Sequence, residues 1–221
     1  MIQYLFVGEM MIAFMNLVKQ SSVRLSLVVM LFAAVSGQTY AMKGPEQVVR
    51  DTVDSMVSQL QANRAEYKAN NQALYDMLDQ TLLPALHVPR MADLILGKQY
   101  ARSASASQKE AFVSEFKTFL LQSYATGLLN ATGKEKVIYE PVNLKPGSDK
   151  VKVKASLVSS SGEAYPIILS MSNRKDTQWR AYNLDVAGIN FIRTYRSSFA
   201  QTLQEKGIDG LIADLRAKNV R

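Results

Sequence analysis

A chain of 221 residues with 26 Lys and Arg against 19 Asp and Glu carries a formal net charge of +7, one histidine and no cysteine. That length allows one domain with a substantial core. The lack of cysteine excludes disulfides, thiol nucleophiles and thiolate metal sites, and the single His87 leaves no second imidazole for a histidine metal cluster.

The first stretch in chain order is not expected to belong to that domain. Lys19 and Arg24 supply a positive n-region, Leu25 to Val35 is almost continuously apolar, and Thr39-Tyr40-Ala41 places small residues where a signal peptidase reads. The apolar run is too short for a transmembrane helix. Residues 1–41 therefore read as a secretory signal peptide and 42–221 as the mature domain, with a start at Met10, Met11 or Met15 giving a more ordinary n-region. Without residues 1–41, 24 basic and 18 acidic side chains remain. In an exported protein this balance suits anionic membrane surfaces, phospholipid head groups or acidic partners, or serves solubility alone, and does not point to nucleic acid.

Pro45 fits the first residue of a helix, and Val48, Val49, Val53, Met56, Val57 and Leu60 give it an apolar stripe as far as about Arg64. The polar run Arg64 to Asn71 reads as a linker or a fraying end. A second helix carries Leu74, Met77, Leu78, Leu82 and Leu83 and is bent or ended by Pro84. After a turn at His87-Val88-Pro89, a third helix with Met91, Leu94 and Ile95 closes near Gly97. Ser103 to Ser107 is a small-residue loop, and Ser107 with Glu110 forms a capping box for the longest helix, which runs to about Leu129. Phe112, Phe116, Phe119, Leu120 and Tyr124 line one side of it, widened by Val113, Leu121 and Leu128.

Beyond Gly133 the apolar period becomes two. Val137 to Val142 reads as a first strand, and Val151, Val153, Ala155 and Leu157 alternate with Lys150, Lys152 and Lys154 in a second. Tyr165, Ile167, Leu169 and Met171 mark a third, and Trp179 to Val186, with Tyr182, Leu184 and Val186 on one face, a fourth. Short turns between them imply an antiparallel meander. Gly188 then turns the chain, and from Asn190 a helical stripe of Ile192, Tyr195, Phe199 and Leu203 follows, with Arg193 and Arg196 beside it. A last helix spans Ile208 to about Lys218. The order predicts an α+β domain, with helices packed on one face of a curved antiparallel sheet of four strands or slightly more.

No catalytic constellation emerges, so the chain is not expected to be an enzyme. His87 sits in a turn, where a lone histidine is usually a surface or capping residue, and no Gly-x-Ser-x-Gly elbow accompanies it. Asp51 with Asp54, and Asp76 with Asp79, are carboxylates three apart on helices, a spacing that a solvated face explains as well as acid–base chemistry. Metal sites and cofactors are not expected.

Two blocks, Gly97 to Ala125 and Trp179 to Phe199, resemble the MlaC/toluene-tolerance family. In the first, Gly97-Lys98, Gln108, Phe112, Phe116, Leu120-Leu121 and Tyr124-Ala125 match, with Pro89 and Asp93 one residue wider than the family turn and Tyr100 in place of a Trp. In the second, Trp179, Arg180, Tyr182, Asp185, Gly188, Tyr195, Arg196, Ser197 and Phe199 match, while Asn183, Asn190 and Thr194 replace residues of similar size and polarity.

The resemblance implies an NTF2-like cone with an apolar cavity. It further implies a periplasmic carrier that holds phospholipid acyl chains and shuttles lipid between an outer-membrane lipoprotein–porin complex and an inner-membrane ABC transporter, maintaining outer-membrane lipid asymmetry. Bound phospholipid is then the only ligand. A cavity at the large end of the ordinary range, about 1,000 Å³ or more, is expected. Its candidate wall is Leu78, Leu82, Leu94, Phe112, Phe116, Phe119, Leu120, Tyr124, Val153, Leu157, Ile167, Leu169, Met171, Tyr182, Leu184, Ile192, Tyr195 and Phe199. Arg196 and Arg193 are the candidates for a head-group-binding mouth; Arg196 paired internally with Asp185 is the structural alternative. On residue pattern alone, close interdigitation of the same apolar residues fits as well. An exported binding module for another apolar ligand, such as a solvent, quinone or hydrophobic peptide, is the functional alternative.

Overall fold

The computed structural model describes residues 42–129, 135–174 and 177–220. The signal-peptide assignment for residues 1–41 lies outside them. Residues 42–221 make one compact unit.

Helix α1 spans Pro45–Ala62, with Pro45 in its first turn and Val49 and Leu60 buried. The polar run after it is not a linker. Arg64–Ala69 forms a short helix, α2, because Tyr67 turns inward to 5% exposure and anchors the turn. That burial, with the Arg64 Nη1 donating to the Leu129 carbonyl at 2.7 Å, outweighs a run that carries no amphipathic stripe of its own. Helix α3, Asn71–Thr81, is capped by Asn70, whose Oδ1 accepts from the N–H groups of Gln72 and Ala73. A single 3₁₀ turn at Leu83–Ala85 carries Pro84 into the next segment.

Helix α4, Val88–Ser103, is capped by His87, whose Nδ1 accepts the Arg90 N–H. It breaks at Gly97, where φ is 73° and ψ 168°, so the expected end is an internal kink. The capping box of α5, Ala106–Leu129, lies two residues earlier than Ser107 and Glu110. Ser105 Oγ accepts the Gln108 N–H at 3.1 Å, and Gln108 Oε1 accepts the Ser105 N–H at 2.9 Å.

The sheet has strand order β1-β2-β3-β4-β5, antiparallel throughout and open at both edges. Its strands are β1 Lys136–Tyr139, β2 Lys150–Val158, β3 Ala164–Ser172, β4 Arg180–Val186 and the two-residue β5 Ile189–Asn190. Strand β5 arises because Ala187 (φ 50°) and Gly188 (φ 81°) reverse the chain tightly enough for Ile189 to pair with Val186. Tyr182 is the unpaired residue of a bulge, which brings Ala181 rather than Tyr182 opposite Met171.

Helix α6, Phe191–Asn219, is capped by Asn190 Oδ1, which accepts the Arg193 N–H at 3.0 Å. It joins the two expected C-terminal helices across a break at Gly207 (φ 66°, ψ −167°). The Tyr100 hydroxyl donates to the Leu203 carbonyl at 2.8 Å, tying α4 beyond its kink to α6 one turn before its own.

Most of the buried apolar residues among those described fall into three separate clusters. The first joins α4, α5 and α6 around Ile95, Phe112, Phe116, Phe199, Leu203, Leu211 and Leu215. The second joins α1, α2, α3 and α5 around Leu60, Tyr67, Leu74, Leu78, Ala125 and Leu129. In the third, Val49 of α1 covers Val153, Met171 and Ala181 of the sheet and Trp179 just before β4. The close neighbours of α5 are α2, α3, α4 and α6, whereas the sheet is approached by α1, α4, α6 and the 3₁₀ turn.

Candidate functional site

Strand pairing fixes which residues share the inner face of the sheet. Val151, Val153, Ala155 and Leu157 stand opposite Met171, Leu169, Ile167 and Tyr165, and Leu169 and Ile167 stand opposite Leu184 and Val186. One end of this face is covered: Val153, Ala155, Met171 and Ala181 are buried. Toward the other end Leu157, Ile167, Leu169, Leu184 and Val186 are only half-buried. They form an apolar strip on the side of the sheet that carries the helices.

The aromatic stripe of α5 divides between two environments. Phe112 and Phe116 are fully buried, stacked 5.6 Å apart, and meet Phe199 edge-on at 6.4 and 6.0 Å. These rings face α4 and α6 rather than the sheet, because α5 packs between those helices. Phe119, Leu120 and Ile192 lie at the margin of the same cluster and are half-buried. Phe191, which the helical stripe passed over, completes the cluster 4.7 Å from Tyr195.

Tyr195 sits at the centre of these rings, 5.2 Å from Phe116 and 5.6 Å from Phe199. Its hydroxyl shares a 2.8 Å hydrogen bond with that of Tyr124. Burial pushes the Tyr195 phenol well above its ordinary pKa, and the bond to Tyr124 adds to the effect. Tyr124 itself is 51% exposed, so the pair runs from the aromatic core to an open surface.

Among the other expected wall residues, Leu78 is buried in the second cluster, and Leu82 is half-buried beyond the end of α3. Leu94 is 39% exposed on α4. Tyr182 is half-buried beneath the Arg90 guanidinium, which lies 3.6 Å from its ring centre. That cation–π contact joins the first turn of α4 to the bulge of β4, and no local spacing in the sequence announces it.

Of the two candidate mouth arginines, Arg193 is exposed in the first turn of α6. Arg196 is exposed as well, and its guanidinium rests on Gly97, where a Cβ would come within 3.1 Å of Nη2. No ion pair found among the described residues joins Arg196 to Asp185.

Among the clefts bounded by described residues, one of about 180 Å³ lies between α4 and α5, lined by Pro89, Ala92, Leu96, Phe112 and Val113, with Asp93 and Lys109 paired at 3.5 Å. A second, of about 400 Å³, is lined by Glu140, Lys145, Lys150, Lys152 and Lys154. A third, of about 460 Å³, lies among Met42, Leu144, Asp149, Asn173 and Trp179. Each is smaller than the expected cavity. Among the described residues no group of three or more His, Cys, Asp or Glu could hold a metal ion, and no helix is long and apolar enough to cross a membrane.

Residues 50–217 match the family model described as "MlaC protein". The chain is 30% identical over 189 residues to the toluene tolerance protein ttg2D of Pseudomonas putida, covering 86% of each. It is 26% identical over 185 residues to the intermembrane phospholipid transport system binding protein MlaC of Haemophilus influenzae, covering 82% of this chain and 85% of that one. Its fold resembles the structure of a phospholipid-binding protein from Ralstonia solanacearum in complex with a phospholipid. The TM-score is 0.73 at 21% identity, covering 80% of this chain and 98% of that one.

Proposed function

The chain belongs to the MlaC family, and from that premise we propose that it is a periplasmic phospholipid carrier. The observation that carries the reading is the incomplete cover of the inner sheet face. Three cores are packed, yet Leu157, Ile167, Leu169, Leu184 and Val186 stay half-buried on the side that carries the helices. Acyl chains laid along that strip, against Phe119, Leu120 and Ile192, complete the burial that the protein leaves unfinished.

Each buried methylene contributes about 0.8 kcal/mol, so two chains of roughly fifteen carbons gain on the order of 20 kcal/mol gross. A bilayer supplies energy of the same kind. Transfer between membrane and protein is then close to neutral, while escape through water is very slow. Hand-over therefore takes place with the carrier docked, its mouth against an inner-membrane ABC transporter complex or an outer-membrane lipoprotein–porin complex. Shuttling between the two maintains outer-membrane lipid asymmetry. In this reading Arg196 and Arg193 would hold the head-group phosphate at the mouth. The chemistry is binding and release, with no covalent step.

Native mass spectrometry of protein purified without detergent, followed by lipid extraction, tests the proposal. The expected result is an added mass resolved by extraction into phospholipid. A quinone, another apolar small molecule or a hydrophobic peptide in its place rejects the lipid assignment. An unloaded protein that also fails to take labelled phospholipid from vesicles rejects the carrier reading.

A further inference from the structure

Strand β2 presents opposite chemistry on its two faces. Val153 and Ala155 are buried, while Lys150, Lys152 and Lys154 are all exposed on the outer face, which carries no helix cluster. Alternate residues of a strand lie about 7 Å apart, so the three lysines follow one another at even spacing along this face. The segment after β1 runs alongside, held by the Glu140 N–H donating to the Lys154 carbonyl at 3.0 Å. It brings Lys145 to the same shallow cleft of about 400 Å³.

The neighbouring acids do little to neutralise this face. Glu140 is 3.7 Å from Lys154, and Asp149 is 3.6 Å from Arg174. Lys145, Lys150 and Lys152 form no ion pair among the described residues. Three lysines without an acidic partner around one cleft give a local positive potential that a bound anionic surface complements.

We propose that this lysine face of β2 is a docking surface for an anionic lipid bilayer, separate from the apolar interior. Two features favour a bilayer over a folded acidic protein. The cations are lysines, mobile point charges suited to a diffuse negative surface, with no arginine fork among the cleft's lining residues for a fixed carboxylate. Exposed apolar side chains border the row: Ile138, 60% exposed on the same face of β1, and Leu144, 39% exposed beside Lys145. Lysines with isolated apolar side chains among them are the chemistry of shallow interfacial binding. Docking by this face would bring the protein against the membrane without using the interior that holds lipid.

Residues 42–221 form their own compact unit, so the experiment uses that unit, which also removes the apolar stretch Leu25 to Val35. Co-sedimentation is measured with vesicles of phosphatidylcholine alone and with about one-third phosphatidylglycerol, at low and at physiological salt. Binding to the anionic vesicles only, falling steeply with salt, is the expected result. K150E/K152E/K154E should lower partitioning by more than roughly a hundredfold, because losing each lysine charge alone is worth about fivefold and the glutamates add repulsion. K150Q/K152Q/K154Q should produce a smaller loss in the same direction and covers the case in which the glutamates impair folding. K68E/K98E/R102E, with the same change in net charge elsewhere, should bind nearly as the parent does. The proposal is overturned if anionic vesicles are not bound at low salt. Equal binding to neutral vesicles, or an equal loss in the K68E/K98E/R102E variant, overturns it too. So does an acidic protein that engages this face while anionic vesicles do not. Co-purified lipid, measured in the same variants, reports separately on the carrier function.

Discussion

The guanidinium of Arg196 lies directly on Gly97, close enough that a methyl group at Gly97 would meet Nη2 at 3.1 Å and Cζ and Nε at 3.3 Å. Gly97 also holds φ 73° and ψ 168°, a conformation essentially reserved for glycine. Contact and kink both lie where α4 meets α6. Gly97→Ala should therefore lose about 1–3 kcal/mol from backbone strain alone, with a further loss from the displaced guanidinium. Urea unfolding of Gly97→Ala with and without Arg196→Ala separates the two. The second change should recover only part of the loss, and full recovery would show that the backbone is unstrained.

Arg196→Glu addresses the mouth assignment. The side chain is exposed and no described ion pair holds it, so reversing its charge should leave the melting temperature within a few degrees. Transfer of labelled phospholipid from vesicles should fall, because a carboxylate repels the phosphate that the guanidinium would hold. A lower melting temperature with transfer per folded molecule unchanged would make Arg196 a structural residue and remove it from the mouth.

Tyr195→Phe tests the hydroxyl pair. The ring remains in its aromatic setting and only the bond to Tyr124 is lost. Because Tyr124 is half-exposed, its hydroxyl can turn to water, and the cost should stay near 1 kcal/mol. Phe116→Ala leaves a void where a fully buried ring stood and should cost about 3–5 kcal/mol. If chemical unfolding shows the two losses to be equal, the hydroxyl bond is worth far more than its exposure suggests.

Much of this fold was legible because its elements are amphipathic in the plain sense. The Val/Lys alternation of β2 declares one buried and one wet face, and Gly188 declares the reversal before α6. The parts that were not legible depend on tertiary contact. Tyr67 is a lone large apolar residue in a polar run, and its partners in the second cluster, with the Arg64 bond to the Leu129 carbonyl, make a helix of that run. The stripe of Phe112 and Phe116 announces a buried face but not which neighbour buries it; α4 and α6 do, and the sheet does not. The bulge at Tyr182 shifts the parity of β4 where alternation suggested none. At the candidate mouth the arginines were visible as residue types, but the support of Arg196 on Gly97 lies between residues far apart in the chain.

The end of α6 is clipped to the middle of α5 by Glu115, and this contact should make stability depend on pH. Arg216 Nε donates to Glu115 Oε1 at 2.7 Å, and Asn219 Nδ2 donates to Oε2 at 2.9 Å. The Arg216 bond, aided by Asn219, holds the Glu115 carboxyl below its ordinary pKa, against a smaller opposing effect of burial. The folded state therefore binds this proton less readily than the unfolded chain does. The stabilisation is fully present above the unfolded carboxylate value of about 4.3 and is lost as pH falls through the lower folded value. Glu115→Gln keeps the shape and removes the charge, so it should melt below the parent protein at neutral pH. As pH falls below the ordinary carboxylate range and through the lower folded value, the parent should lose its advantage and the two melting temperatures should converge. A gap that stays constant across that range would mean that the Glu115 charge contributes nothing and that packing alone holds the end of α6.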